Sequence, residues 1–473
     1  MLAASVVAYL IVTIAIGLWA ARRVHNSKDF VLAGRSLPLY MASATVFATW
    51  FGAETVLSVS ATFVRDGLAG IPADPFGASF CLLFVALFFA RAFYRMDLLT
   101  IGDFYRRRYG KPVEVATSVA ITASYLGWTS AQLTALGLVL SVLSGGALAL
   151  EPAIYLGAAI VLGYTIMGGL WAVALTDMVQ SVVILIGLAL VAWLVADMAG
   201  GAGAVIAAAA EAGKFQLFPS GGAKEWLAFL AAWMTLAIGS IPQQDVFQRV
   251  TSAKDEKTAV RGCLLGGAIY FCFAFVPMFI AYSALVIDPG YGELFGNDDA
   301  REIQRILPSL ILDRTPLWAQ VLFFGALLSA ILSTASGALL APTALFTENV
   351  IRPFAPRMSD RQFLLLLRVV LVTFTLAALL FAVHSRSTMY EMVQNAYKVT
   401  LVSCLVPLAA GIYWRRANFP GAVLSVGLGL ASWLIAEVVA ADAIVPPQLV
   451  GLAFSAAGMV LGAYSPAART RHA

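Results

Sequence analysis

Charge is scarce in this chain. Of its 473 residues only 12% are Asp, Glu, Lys or Arg, whereas 61% are hydrophobic. An ordinary soluble domain carries about twice that share of charge. With a mean hydropathy of +0.87, the chain cannot cover a surface that faces only water, so lipid is part of its solvent. It reads as an all-α integral membrane protein, whose apolar runs leave no stretch for a soluble domain of about 100–200 residues. Histidine is rarer still: His25, His384 and His472 fall in loops and the tail, with no HExxH and no Cys/His cluster. That excludes a zinc enzyme, and no nucleophile–base pair suggests another enzyme class. The four cysteines (Cys81, Cys263, Cys272 and Cys404) lie singly in apolar segments and read as small hydrophobes rather than disulfides or ligands. The net charge of +4 comes from basic residues that flank apolar runs, not from a stripe, so nucleic acid is no partner. A basic region before the first apolar run is missing and Arg22-Arg23 follow it, which marks a transmembrane helix rather than a signal peptide.

A helix needs about 20 apolar residues to cross a bilayer. The sequence predicts about thirteen spans, near 3–21, 38–64, 77–95, 114–144, 152–168, 172–198, 226–247, 260–285, 317–346, 363–384, 389–413, 418–440 and 446–465. Gly168-Gly169 divides the apolar stretch 152–198 into two spans. Placing the N-terminus outside puts about three times as many Lys and Arg in inner loops as in outer ones, Arg249, Lys254, Lys257 and Arg261 among them. The expected topology is therefore N-terminus outside and C-terminus cytoplasmic, in the cell's inner (plasma) membrane. Two long outer loops, near 199–225 and 286–316, remain, and the second, with Tyr291, Phe295 and DDAREIQR, suggests a short surface helix.

Ionisable residues inside a bilayer are costly and point to function. In ATWFGAETVLS (48–58), Glu54 sits near mid-span, Gly52 loosens the helix, and Thr49 and Thr55 offer replacement partners for freed backbone groups. This is either a helix that unwinds to contact a ligand or a close helix crossing that Gly52 permits. In GSIPQQDVFQR (239–249), Pro242 precedes Gln243, Gln244 and Asp245, giving either an ordinary helix end or a second broken helix. Interrupted segments in corresponding places of two halves point to a transporter's binding site. Their five-span separation suggests an inverted five-helix repeat, with 38–198 as first repeat and 226–413 as second. One extra helix (1–26) precedes them and two (418–465) follow, in a single transporter domain. In LLSAILSTASGALL (327–340), Ser329, Ser333 and Ser336 share one helix face beside Thr334. They are either small residues for helix packing or oxygen ligands of a monovalent cation, completed by carbonyls near Ala48 and Phe51. Glu391, Gln394 and Lys398 form a polar stripe in which Lys398 either binds a solute carboxylate or pairs with an acid on a neighbouring helix.

Three stretches occur in order: KDFVLAGRSLPL (28–39), YTIMGGLWAVALTDMVQ (164–180), and SAILSTASGALL (329–340) followed by TENV (347–350). Over residues 27–415 the chain resembles the sodium/solute symporter family. The resemblance implies a leucine-transporter-like fold with alternating access and sodium-coupled symport of a small organic solute. It places sodium on the carbonyls of Ala48, Phe51 and Ala330 and the hydroxyls of Ser333 and Thr334. Ser329 and Ser336 then serve packing or the ion path. Asp177 matches an acid near the inner sodium path, or is a helix-end carboxylate paired with a basic residue. ATW (48–50), LFFA (87–90) and IPQQDVFQRVTS (241–252) are similar to the high-affinity choline transporter branch, which boxes a quaternary ammonium in aromatic faces. Trp50 and Trp128 stand where two of its tryptophans would be. Gln243 replaces a third, and Glu54 and Lys398 are further departures. The expected solute site is Trp50, Gly52, Glu54, Thr55, Trp128, Gln243, Gln244 and Lys398. It would take a quaternary amine, betaine, amino acid or related zwitterion. The other partner is membrane lipid, with no obligatory protein partner. The rival readings are a membrane sensor of the same fold, which would need a separate output protein, and a proton-coupled transporter, which would need a titratable group where Ser333 and Thr334 stand.

Overall fold

The computed structural model describes residues 1–21, 27–296, 301–355 and 357–465. Arg22, Arg23 and His25, loop residues 297–300, and Arg469, Arg471 and His472 of the tail lie outside the described residues. Among the described residues the chain is helical throughout, and an isolated bridge between Leu37 and Ala253 is the one β-type pairing.

In chain order the helices are α1 (Leu2–Ala21), α2 (Leu39–Trp50), α3 (Glu54–Asp66), α4 (Pro72–Met96), α5 (Ile101–Tyr109), α6 (Lys111–Leu143), α7 (Leu150–Gly163), α8 (Gly169–Met198), α9 (Ala202–Glu211), α10 (Ala223–Ala237) and α11 (Gln244–Thr251). They continue with α12 (Glu256–Ile287), α13 (Ile306–Arg314), α14 (Leu317–Phe346), α15 (Asp360–His384), α16 (Met389–Ser403), α17 (Leu405–Tyr413), α18 (Phe419–Val439) and α19 (Pro447–Ala463). Among the described residues seven helices are long and apolar enough to cross a membrane, and up to nine spans result when the bent pairs α2/α3 (54°) and α16/α17 (44°) each count as one. The expected thirteen spans are not all of that kind. Within three of the others the apolar helical pieces, Leu2–Thr13, α7 and α19, are shorter. Segment 226–247 divides at residues 238–243 into α10 and α11.

Polar caps fix several helix starts. Thr100 with Asp103 caps α5, Ser359 with Gln362 caps α15, and Thr388 with Glu391 caps α16, each side chain bonding the other's backbone. Asp255 accepts from the Thr258 N–H at 2.7 Å, which holds its carboxyl below the usual carboxylate range. Gly169 (φ +51°) breaks the helical path between α7 and α8, where a Cβ would lie 2.6 Å from the Phe30 carbonyl oxygen. Leu37 exchanges backbone hydrogen bonds with Ser252 and Lys254, tying the entry to α2 to the exit from α11. The TENV segment ends in a buried knot: Asn349 Nδ2 donates to Asp103 (3.1 Å) and Glu114 (2.7 Å), and its Oδ1 accepts from Thr100 Oγ1 (2.6 Å).

The most enclosed spans are α6 and α14, with 78% and 83% of their apolar windows buried, against 22% for α18. Enclosure on all sides lets a helix carry polar side chains at membrane depth, because protein rather than lipid receives them. Both spans supply polar groups to the site described next.

Candidate functional site

The first break follows from Gly52. Phe51 N–H still reaches the Phe47 carbonyl (2.9 Å), but Gly52 N–H turns to Trp50 O (3.0 Å) instead of Ala48 O. The Ala48 carbonyl is thereby released from the helical ladder. The next free donor, Ala53 N–H, is taken by Gln132 Oε1 of α6 at 3.2 Å. Two hydroxyls of α14 converge on the released carbonyl, Ser333 Oγ at 3.1 Å and Thr334 Oγ1 at 3.2 Å. Phe51 and Ala330 are fully buried, and Ala330 stands one turn before Thr334.

Ser333 Oγ also lies 2.5 Å from Asp177 Oδ1, while Asp177 Oδ2 has no partner among the described residues. A hydroxyl has one proton, so Ser333 can donate to Ala48 O or to Asp177 but not to both. If it donates to Asp177, its oxygen still stands 3.1 Å from the Ala48 carbonyl oxygen without a shared proton. The other two hydroxyls of the cluster go elsewhere. Ser329 bonds Gly325 O (2.7 Å) and the Tyr9 hydroxyl, and Ser336 bonds Ser333 O (2.9 Å).

Beyond the break, Glu54 opens α3 at 4% exposure. Trp128 Nε1 donates to its Oε1 (3.1 Å) and Gln132 Nε2 to its Oε2 (2.5 Å). A Cβ on Gly52 would stand 2.4 Å from Glu54 Oε2, so glycine leaves room for the carboxylate. Thr55 Oγ1 donates to Asp74 Oδ2 of α4 (3.1 Å), and the Tyr270 hydroxyl of α12 donates to Asp74 Oδ1. The Trp128 ring lies 5.8 Å from Tyr125 and 6.2 Å from Tyr397. Trp50 is buried but makes no ring contact among the described residues, so the two expected tryptophans do not stack into one box.

The second break, residues 238–243, lies against the same helix α6. Gln243 Nε2 donates to Ser124 Oγ (3.0 Å) and Thr400 Oγ1 (3.3 Å), and Thr400 Oγ1 donates to the Gly239 carbonyl (2.7 Å). The Tyr125 hydroxyl donates to the Asp245 carboxylate and accepts from its N–H (2.9 Å). Thus α6 holds one break through Trp128 and Gln132 and the other, about one turn away, through Ser124 and Tyr125. Arg249 of α11 is 3% exposed; its Nε donates to Thr49 Oγ1 (2.8 Å), and both Nη atoms lack hydrogen-bond partners among the described residues. Gly337 of α14 makes space for it, since a Cβ there would lie 2.9 Å from Nη2.

The structure therefore gathers Ala48, Ser333, Thr334 and Asp177 at one point and Gly52, Glu54, Thr55 and Trp128 at a second, with Gln243 at the other break. Two expected solute residues lie apart. Gln244 Oε1 accepts from Ile101 N–H (2.8 Å) at the start of α5. Lys398 pairs with Glu437 of α18 at 3.3 Å, beside Trp433 Nε1. The Glu391–Gln394–Lys398 stripe also divides, because Glu391 caps its own helix. A fourth departure concerns Arg249, which the topology count treats as an inner-loop charge but which is buried against α2 and α14.

Asp74, Gln132, Tyr397 and Arg249 were missed as site residues. Asp74 has a signal, an acid next to prolines in PADPFG, but the expected span began at 77. Gln132 lies one turn after Trp128, yet only the fold shows which groups it bridges. Arg249 follows an apolar segment and resembles a flanking charge.

Residues 30–429 match the family model described as the sodium:solute symporter family. The chain is 26% identical over 451 residues to high-affinity choline transporter 1 of Caenorhabditis elegans, covering 91% of this chain and 77% of that protein. It is 27% identical to the human high affinity choline transporter 1 (91% and 75% covered) and 24% identical to the sodium/glucose cotransporter of Vibrio parahaemolyticus (88% and 81% covered). Among solved structures, a substrate-bound, outward-open Na⁺-coupled sialic acid symporter superposes with a TM-score of 0.80 at 19% identity (98% and 97% covered). Mhp1, a nucleobase-cation-symport-1 family transporter, gives 0.60 at 15% identity (93% and 97% covered).

Proposed function

The chain belongs to the sodium:solute symporter family and is a multi-pass, sodium-coupled symporter of a small solute rather than an enzyme; from this premise we propose which groups hold the ion and which hold the solute. Sodium binds between the Ala48, Phe51 and Ala330 carbonyls and the Ser333 and Thr334 hydroxyls. The observation that carries this is the convergence of both hydroxyls on the released Ala48 carbonyl. Oxygen-only ligands suit a hard cation, and uncharged ones let a monovalent ion leave again. Asp177, holding the Ser333 proton, turns that hydroxyl's lone pairs toward the ion and stands next on its inward path.

The solute binds across the break at Glu54, Thr55 and Trp128, with Gln243 at the opposite wall. Its cationic nitrogen meets the Glu54 carboxylate and the faces of Trp128 and Tyr397. The choline transporters among its relatives support a nitrogen cation, such as a quaternary amine or a zwitterion containing one. Sodium clamps α14 to α2 at the break, and that order favours solute binding one turn away. The N-terminus lies outside and the membrane is the plasma membrane, so both ligands are released to the cytosol. Moving one charge inward is worth about 2.3 kcal/mol per 100 mV.

The test is a thermal-shift panel of small amines, betaines and amino acids on purified protein, in sodium and in potassium. A ligand of the folded state stabilises it by mass action, and linkage makes the shift larger in sodium. Equal shifts in both salts refute the sodium site.

A further inference from the structure

Glu54 and Asp74 are 4% and 3% exposed, and no Lys, Arg or His among the described residues lies within 4.0 Å of either. They are joined through consecutive residues, since Thr55, next to Glu54, donates to Asp74, and each carboxylate stands within the electrostatic reach of the other. Two buried, ionised acids without a cation are costly in a membrane interior unless a bound proton or a ligand supplies the countercharge.

Hydrogen-bond counting narrows that ligand. Each of the four carboxylate oxygens accepts one side-chain donor: Trp128 Nε1 and Gln132 Nε2 at Glu54, Tyr270 and Thr55 at Asp74. An ionised carboxylate offers about four acceptor positions, so about two remain open on Asp74 and about one on Glu54, whose own backbone N–H also reaches it. Tyr390 of α16, 7% exposed, stands beside the Ala73–Asp74 backbone and Gln394, and the Asp74 charge reaches it. Tyr390 also lines a cavity of about 580 Å³ together with Pro72, Asp66, Glu225 and Gln394. Of the two acids in this cavity, Asp66 is paired with Arg65 (2.8 Å) and Glu225 accepts from the Gly221 N–H (3.0 Å). The buried guanidinium of Arg249 is on the α2 side of the break, against Thr49.

A quaternary ammonium would neutralise charge but leave every open acceptor unfilled, because it has no N–H. A protonated primary amine brings three donors on one nitrogen, as a lysine ammonium does. We propose that the transported solute is a protonated amine that donates N–H bonds to both Glu54 and Asp74, with a short α,ω-diamine as the best match to the paired carboxylates. This rests on the solute site proposed above and makes Asp74 a specificity-determining residue within it. Gln132 acts as a positioning residue, with one amide atom on the broken backbone and the other on Glu54.

The experiment compares matched cations on the purified full chain in sodium: 1,4-diaminobutane and 1,5-diaminopentane against their fully N-methylated bis-quaternary counterparts. Charge and skeleton are kept and only the N–H donors are lost. The expected result is at least tenfold tighter binding of the diamines, by thermal-shift titration or isothermal calorimetry. Glu54→Gln and Asp74→Asn should each weaken diamine binding at least tenfold, while stabilisation by sodium alone persists and shows that the variants fold. Equal or tighter binding of the methylated compounds overturns the proposal, as does unchanged diamine affinity in Asp74→Asn. If only a different solute class binds, and does so in sodium but not potassium, this inference fails while the sodium site stands. Diamine shifts of equal size in sodium and potassium refute the sodium site and leave the amine assignment standing.

Discussion

Replacing Ser333 by alanine removes one oxygen from the point where α2 and α14 meet. In the wild type that oxygen is 3.1 Å from the Ala48 carbonyl and 2.5 Å from Asp177 Oδ1. At the proposed sodium site the variant would lose an ion ligand, and it leaves Asp177 with no bonded carboxylate oxygen among the described residues, since Oδ2 already lacks a partner there. A hydrogen bond to a charged group is worth about 1.5–3 kcal/mol, and the interaction of a hydroxyl with sodium is of the same charge–dipole kind. At about 1.4 kcal/mol per decade, sodium affinity should fall about 10- to 150-fold. Ser336→Ala is the matched control, because that hydroxyl bonds only its own helix at Ser333 O. The assay is a sodium titration of thermal stability at fixed ionic strength, followed by sodium-dependent uptake in proteoliposomes. Ser333→Ala should shift the half-saturating sodium concentration upward by at least tenfold, and Ser336→Ala by less than about twofold. If both variants keep the wild-type sodium dependence and Ser333→Ala only lowers stability in sodium-free buffer, the hydroxyl is a packing group and the ion assignment is refuted.

Gly52→Ala should cost at least tenfold in solute affinity with smaller effect on sodium, because the added Cβ enters the space of the Glu54 carboxylate; solute titrations at saturating sodium would check this. Lys398→Met should leave solute affinity within about twofold, since the ammonium pairs with Glu437 of α18 (3.3 Å) rather than reaching the solute site; a tenfold loss would return Lys398 to the solute site. Asn349→Ala should destabilise the protein by about 3 kcal/mol, because Asp103 and Glu114 both lose a buried donor. Reversible denaturation in detergent measures that cost, and an unchanged midpoint would contradict it.

The sequence by itself determined the solvent, the class of fold and the places where helices fail. A chain with 12% charge and near-continuous apolar runs has to be helical in lipid, where each backbone group needs a partner inside its own segment. Gly52 and Pro242 mark the two breaks because each acts on its own backbone, one through its missing side chain and one through its missing donor. Ser333 and Thr334 were legible because helical spacing puts them beside each other, and the family resemblance singled them out from Ser329 and Ser336. The tertiary structure alone decided partnership. Nothing local distinguishes Lys398 as Glu437's partner from Lys398 as a solute ligand, since the two helices are far apart in sequence. The same holds for Asp74 beside Thr55, for Gln132 spanning the first break, and for Arg249 turned inward against Thr49. A helix's own pattern states which face is polar. What that face meets depends on how the spans pack, and that set which acids stand together without a cation.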